Sequence, residues 1–400
     1  VIDQKDEFSA PRESSAAMTF FLTVVRPEFA VDFPTRMSLL HICACCILAG
    51  AASQMWSQTQ SGSSTVTDGA RSSQSEKFTG HAEQLINAGD LKGALTELDA
   101  LAIEHPALPG LEYLRGFAYY QQTELSNAET AFRKALSQDP QDRGSRQLLG
   151  ITLYREGRPA DAIPVLETEH ASRRVTNEDP SYLLSLCYID VERYDDARRT
   201  IAGGYGFPPN SPAAYLLISR ILVRRGFMVP AEASARKALE LNPRVPLAHE
   251  LLGEIAIARS DIAAAIKEFE SERALDPLRA AVYEWLGDAY LRDGDVEQAR
   301  ESLNRSLLLD PNSTGPYILL GKVLMRQHNP LAATGYLQRA LRMDPGNYIA
   351  HYLLGQAYHA TGRPQDASRE FEKADQLRFK TDSAPVQVQP QSSAGAKSSN

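Results

Sequence analysis

From about residue 75 onward, apolar residues recur three and four positions apart, in runs long enough for three to four helical turns. Polar turns containing Gly, Pro or Asp separate the runs, as in "RDGDVEQA", "EGRPADA" and "TGRPQDA". Leu286 and Tyr290, or Leu354 and Tyr358, keep the i, i+4 spacing of one helical face. The alternation of apolar run and tight turn predicts short antiparallel helices joined in pairs.

The pairs repeat. The segment 283–311, "YEWLGDAYLRDGDVEQARESLNRSLLLDP", aligns 34 residues downstream with 317–345, "YILLGKVLMRQHNPLAATGYLQRALRMDP", and the register continues in both directions. Nine units result: 75–108, 109–142, 143–177, 178–211, 212–245, 246–279, 280–313, 314–347 and 348–381. The third is one residue longer than the rest. The twentieth position is Ala in every unit, from Ala94 through Ala231 to Ala367, which predicts a crossing so close that only a methyl fits. The eighth is Gly, Ala or Ser throughout, and Gly costs ~1 kcal/mol against Ala inside a helix, so packing must require it. Proline near the unit end (Pro106, Pro140, Pro209, Pro243, Pro277, Pro311, Pro345) stops the second helix.

Small-8, Ala-20 and Pro-32, with apolar or aromatic residues at 7, 11 and 24, resemble the tetratricopeptide repeat family over residues 75–381. The resemblance implies an all-α fold, a right-handed α-solenoid of tandem helix-turn-helix units in which each unit buries its apolar face against its neighbours. Departures are local. His81 and Arg115 replace Leu at position seven, the 143–177 unit has Arg174 where others have proline, and its "LETEHASRRVTNEDP" predicts a loosened second helix. "GGYGFPPNSP" (203–212) predicts a second helix that ends early, and the charged outer face of "PQDASREFEKADQLRFK" suits a terminal cap.

The flanks differ in character. "MSLLHICACCILAGAAS" (37–53) reads as a secretory apolar run closed by the Ala49-Gly50-Ala51 cleavage pattern, within a 1–52 N-terminal extension. Its apolar core is shorter than the ~20 residues a spanning helix needs. Export to the periplasm or exterior is therefore expected, with Met18 or Met37 as the true start. The alternatives are a tether by an uncleaved segment or lipid attachment at Cys45, and membrane contact is expected only through that segment. Residues 53–74 and 382–400 are Ser/Gln-rich and apolar-poor, and are expected to be linker and tail.

A net charge of −8 argues against a nucleic-acid partner, which requires a basic surface. Cys187, alone in the folded region, falls in an apolar helical context and reads as packing. Gly321-Lys322 carries the letters of a phosphate loop, but Pro316 stands where the first glycine belongs and Val323 where the hydroxyl belongs. His351 and His359 have no third ligand at a metal-like spacing. Acid pairs such as Asp195-Asp196 sit where helix N-termini want them. No nucleophile or zinc motif appears, so neither enzymatic activity, a cofactor nor a small-molecule substrate is expected.

The resemblance also implies that first helices line the concave surface, with positions 2, 5, 9, 12 and 13 facing it. Those positions give an apolar band of Tyr113, Phe117, Tyr120, Ile151, Tyr154, Tyr182 and Leu186, then Arg220 and Arg224. An acidic band follows of Glu250, Glu254, Glu284 and Asp288, then Lys322 and Arg326, then Tyr352 and Gln356. Two readings stand: packing with a solvated charged face, or a groove for a protein or peptide partner with tyrosine anchors. The second expects Tyr113, Phe117 and Tyr154 to be replaceable by Ala without unfolding. The Lys/Asn/Arg clamp that some members use for C-terminal carboxylates is not visible. Other roles left open are a cell-envelope assembly factor and an accessory subunit of a separately encoded enzyme.

Overall fold

The computed structural model describes residues 68–171 and 180–382, with side chains over 78–168 and 180–379. The described residues form eighteen helices in nine antiparallel pairs. The first three pairs are α1 (Asp68–Asn87) with α2 (Leu91–Glu104), α3 (Leu111–Gln121) with α4 (Leu125–Gln138), and α5 (Arg143–Arg155) with α6 (Pro159–Ala171). Next come α7 (Ser181–Asp190) with α8 (Tyr194–Gly204), α9 (Pro212–Arg224) with α10 (Met228–Leu241), and α11 (Ala248–Ala258) with α12 (Ile262–Leu275). The last are α13 (Ala280–Asp293) with α14 (Val296–Leu309), α15 (Thr314–Arg326) with α16 (Pro330–Met343), and α17 (Tyr348–Ala360) with α18 (Pro364–Asp382). Each second helix packs on its own first helix and on the next one. This is the solenoid expected from the repeat.

The repeat columns have the structural roles their residues require, with one refinement. Every position-20 alanine is closed off from solvent, from Ala94 to Ala333 at 0 % exposure. The position-8 glycine, however, makes room for the large residue at position 24. A Cβ on Gly321 would lie 2.7 Å from Leu337, and one on Gly253 would lie 2.3 Å from the fully buried Phe269 ring. Where position 8 is Ser, its hydroxyl uses the approach instead: Ser185 Oγ donates to the Ala197 carbonyl (3.2 Å) and Ser219 Oγ to that of Ala231 (2.8 Å).

Two further regularities were not read from the sequence. The fifteenth residue of all nine units has positive φ, five of them Gly and four of them Thr123, Glu192, Ser260 and His328. This left-handed residue reverses the chain, and in eight units the next N–H closes the helix end onto the position-11 carbonyl, as in Asp90 to Leu85 and Arg363 to Tyr358. The second regularity links units. A donor at position 4 reaches the proline carbonyl that ends the preceding unit: Tyr283 to Pro277 (3.0 Å), Tyr317 to Pro311 (3.2 Å), and Arg146 to Pro140. His351 Nε2 makes the same link to Pro345 (3.1 Å), while its Nδ1 lies 2.5 Å from Glu370, so this histidine ties units together.

Other expectations resolve individually. The helix before "GYGFPP" ends early, at Gly204, three residues short of the fourteen typical of second helices. Helix α1 starts at Asp68, so 68–74, expected to be linker, extend the first helix. Once a packed turn has nucleated a helix, polar residues prolong it at little cost. Helix α18 ends at Asp382, the first residue of the expected tail, and 383–400 lie outside the described residues. The export segment at 37–53 and most of the loosened stretch of the third unit lie outside the described residues.

Replacing Thr123 by Gly should stabilise the protein by about 1 kcal/mol, since a β-branched residue at φ 62° carries a left-handed penalty that Gly avoids. Urea denaturation reads this, and an unchanged midpoint would count against the reversal being strained. Gly253→Ala should destabilise by about 1–3 kcal/mol because the Phe269 ring has nowhere to go. Gly335→Ala, in open space on α16, should instead stabilise by up to ~1 kcal/mol.

Candidate partner groove

Consecutive first helices touch one another along much of the stack (α1 with α3, α3 with α5, α9 with α11, α13 with α15, α15 with α17), and no two second helices are in comparable contact. Elements that crowd together mark the inner side of a curved stack, so the first helices line it. The structure sorts the candidate residues on this side into three kinds.

Some are core. Phe117 (6 % exposed), Tyr120 and Ile151 are buried, and Tyr113 is half-buried with its ring stacked on Phe117 and tilted against the core ring of Phe132. Arg155 lies 4.7 Å over the Tyr120 ring. The Tyr154 hydroxyl accepts from Arg225 Nη1 (3.1 Å), and Arg225 also pairs with Asp190, joining three units. Burial pushes the Tyr154 phenol well above its ordinary range. Removing Tyr113, Phe117 and Tyr154 together would thus open the core. Their replacement by Ala, expected to leave the solenoid folded, would remove packing as well as any partner contact, because Phe117 is buried and Tyr154 links to Arg225 two units on.

Others are ties between units. Glu250 is 1 % exposed, held by Arg279 at 2.6 Å and 3.3 Å, with Arg220 Nη2 at 3.6 Å. Glu284 accepts from Ser313 Oγ (3.2 Å) at the start of α15 and lies so close to Gly315 that a Cβ there would fall 1.8 Å from it. Asp288, 6 % exposed, pairs with Arg292 (2.7 Å), and Arg326 donates to the Leu291 carbonyl of the preceding unit. Buried Glu272 accepts the N–H groups of Leu247 (2.7 Å) and Glu250 (3.3 Å), capping α11 where its own N-cap residue has no polar side chain. Arg279, Arg225 and Glu272 were missed in the sequence. The available signal was a charge of opposite sign about one repeat from Glu250 and Asp190.

The remainder are exposed or half-buried. Tyr182 is 42 % exposed and Tyr352 is 51 % exposed, the latter resting on the Phe371 ring at 5.6 Å. Arg224 is exposed, while Leu186, Glu254, Lys322 and Gln356 are half-buried. Among the described residues Arg224 has no hydrogen-bond or ion-pair partner, and although the residue is exposed, partial desolvation of its head group together with Arg220 holds its guanidinium below the usual range, against Tyr182 and Glu254. Burial, opposed by Arg220, pushes the Glu254 carboxyl up to about 7. Burial also raises Glu284 to about 7, against the Ser313 hydrogen bond and with help from Asp288 and Asp310.

The chemistry of the other candidates is quiet. Cys187 is fully buried and its thiol is pushed up to about 12 by burial, which removes its nucleophilic form near neutrality. Gly321 is a packing glycine within α15, and Lys322 beside it belongs to the half-buried groove wall. No group of His, Cys, Asp and Glu among the described residues could hold a metal ion, and no described helix is long and apolar enough to cross a membrane.

A sequence model of the tetratricopeptide repeat matches residues 79–143, 216–277, 252–315 and 318–379, more than half of the chain. The chain belongs to the tetratricopeptide repeat family. Residues 121–203 also match the family described as anaphase-promoting complex, cyclosome, subunit 3. No curated protein sequence matches. Among solved structures the repeat array is similar to MamA (23 % identity, 41 % of this chain and 96 % of that one, TM-score 0.38). It is also similar to YrrB, described as a tetratricopeptide repeat protein with an unusual peptide-binding site (20 % identity, 42 % and 88 %, TM-score 0.37). A third likeness is to the Cut9-Hcn1 hetero-tetramer of the APC/C (21 % identity, 70 % and 48 %, TM-score 0.36).

Three carboxyls raised by burial, Glu254, Glu272 and Glu284, set a pH dependence. A group that holds its proton more tightly when folded stabilises the fold fully below its ordinary range, and that contribution is lost as pH rises through the folded value. For Glu254 and Glu284 the loss falls between about 4.5 and 7. The lowered acids Glu129, Asp196 and Glu232 act in the opposite sense, but below the usual carboxylate range. The thermal midpoint should therefore fall from pH 5 to pH 8, a loss on the order of 1–3 kcal/mol in all. The double variant Glu254→Gln, Glu284→Gln should flatten the curve, and an equally steep variant curve would reject the assignment.

Proposed function

We propose that this tetratricopeptide repeat chain is a noncatalytic interaction scaffold that holds a peptide or partner protein along its first-helix face. The observation that carries the reading is the contrast on that face. Its core aromatics and most of its acids are consumed by the fold, while Tyr182, Arg224 and Tyr352 stand exposed on it without a structural duty as large as their side chains. Large aromatic and arginine side chains are the residue types that concentrate binding energy when a partner covers them. Export of the chain, from the 37–53 segment, forms part of the proposal and is tested by fractionation with N-terminal sequencing.

A second reading, an assembly factor that binds through its outer face, is favoured by Val229 (73 % exposed) and Leu331 (76 % exposed). Both occupy position 18, one residue into a second helix, and present bare apolar surface. Affinity capture from the native host with the full chain separates the two. Tyr182→Ala with Tyr352→Ala should remove the captured partner, and Val229→Ser with Leu331→Ser should leave it. The reverse result would transfer the function to the outer face. All four residues are exposed, so the variants should keep the parent circular dichroism.

A further inference from the structure

Building on the groove reading, we propose that the face of α7, α9 and α11 takes an acidic partner segment, an extended peptide whose Asp or Glu side chain lies against Arg224 while an apolar or aromatic neighbour covers Tyr182 and Tyr205.

The guanidinium groups of this region are unequally served. Arg279 faces three carboxylates, Glu250, Glu272 and Asp276, whereas Arg220 and Arg224 have only a share of Glu250 and Glu254. Arg279 already satisfies Glu250 with two hydrogen bonds, which leaves Arg220 at 3.6 Å from it with only a share. Glu254 is the remaining acid within electrostatic reach of all three, and its carboxyl, pushed up to about 7 by burial, carries only part of its charge near neutrality. Arg224 is therefore the least compensated of the three. Incomplete hydration of its head group and the like charge of Arg220 outweigh the attraction of Glu254 and Tyr182, so an incoming anion is favoured there.

Comparison with the equivalent position of other units isolates this residue. Position 13 is also arginine at Arg155, Arg292 and Arg326, and each of those is occupied: over the Tyr120 ring, by Asp288, and by the Leu291 carbonyl. The adjacent Arg225 is taken by Tyr154 and Asp190. Arg224 alone has no such contact among the described residues. Beside it the surface is apolar in the right way. Tyr182 lies within electrostatic reach of Arg224 and of Tyr205, and both tyrosines are about half exposed, at 42 % and 50 %. Arginine offers a planar fork matched to a carboxylate, and tyrosine rings offer rigid apolar area at low entropic cost. An acidic segment suits this spot specifically because the chain as a whole carries −8 and repels such a segment elsewhere.

Selection of a random linear peptide display library on the full chain, at neutral pH and low salt, tests the proposal. Enriched peptides should carry Asp or Glu next to an aromatic or aliphatic residue. A synthetic peptide of the enriched sequence should bind the Arg224→Ala variant about tenfold more weakly, the value of a charge-assisted hydrogen bond. Arg224→Glu should turn the selection toward Lys or Arg. Neutral or basic peptides enriched on the parent chain, or acidic enrichment unchanged by Arg224→Glu, would overturn the acidic-segment proposal while leaving the groove reading intact. Failure to enrich any peptide would overturn both. Arg224 is exposed, so circular dichroism of the variants should match the parent.

Discussion

Six of the nine helix pairs in this protein close on an absent side chain, and the other three on Ala or Ser. The first helix can lie close to the second only because position 8 has no bulk, which lets the position-24 side chain fill the space a Cβ would occupy, and because position 20 stops at a methyl. Everything else inherits this distance. Close closure fixes the rotation of the first helix, and that rotation decides which of its residues meet the next unit and which look into the groove. The two serine units support the reading, since their hydroxyls reach the position-20 carbonyl that the glycine units simply approach. Large interior side chains vary to match, with Phe269 under Gly253 and Ala235 in the unit of Ser219.

Because a solenoid unit touches only its neighbours, every polar group on the inner row has two potential employers, the adjacent unit and a partner. Fold demands are met first. Glu250, Glu284, Asp288 and Arg326 all sit at groove-facing repeat positions, yet each one is spent on the adjacent unit or on its own helix. The same competition explains the raised carboxyls. Glu254 and Glu284 lie where packed first helices exclude water, and that desolvation outweighs the arginines around Glu254 and the Ser313 hydrogen bond to Glu284.

This division also sets what could be read from the sequence. The columns were legible because they recur nine times: Gly321 with its place in the column, Ala333, and Pro311 announce helices, crossing and stop. The reversal residue was not, since Thr123, Glu192, Ser260 and His328 occupy it as well as Gly, and sterics tolerate them at a cost that composition does not show. Inner-row identities were legible as positions, but their employment was not. Whether Tyr154 is an anchor or a link depends on Arg225, 71 residues away, and no local pattern connects the two. Tyr205, by contrast, stood in the irregular "GGYGFPPNSP" stretch. A break in the repeat was the signal that a side chain there was released from repeat duty.

The interior itself changes along the stack. One apolar cluster runs unbroken from Ala82 to Ile255, through the first five units and into the sixth. Beyond it the core divides into three smaller clusters, Ala256 to Ala289, Leu291 to Val323, and Ile318 to Ala367. The divisions lie among the units whose first helices carry Glu250, Glu284 and Asp288, so ionic ties stand there beside apolar contact. In a nearest-neighbour array, stability is a sum over interfaces, and a buried ion pair contributes less net free energy than well-packed apolar surface of similar size. The interfaces after α11 thus combine ion pairs with apolar contact. Arg224 and Glu254 sit on the border, on the last helices of the continuous core and the first of the divided part. A partner that bridges α7, α9 and α11 would span the junction between the continuous core and the divided part, so binding there would also tie the two together.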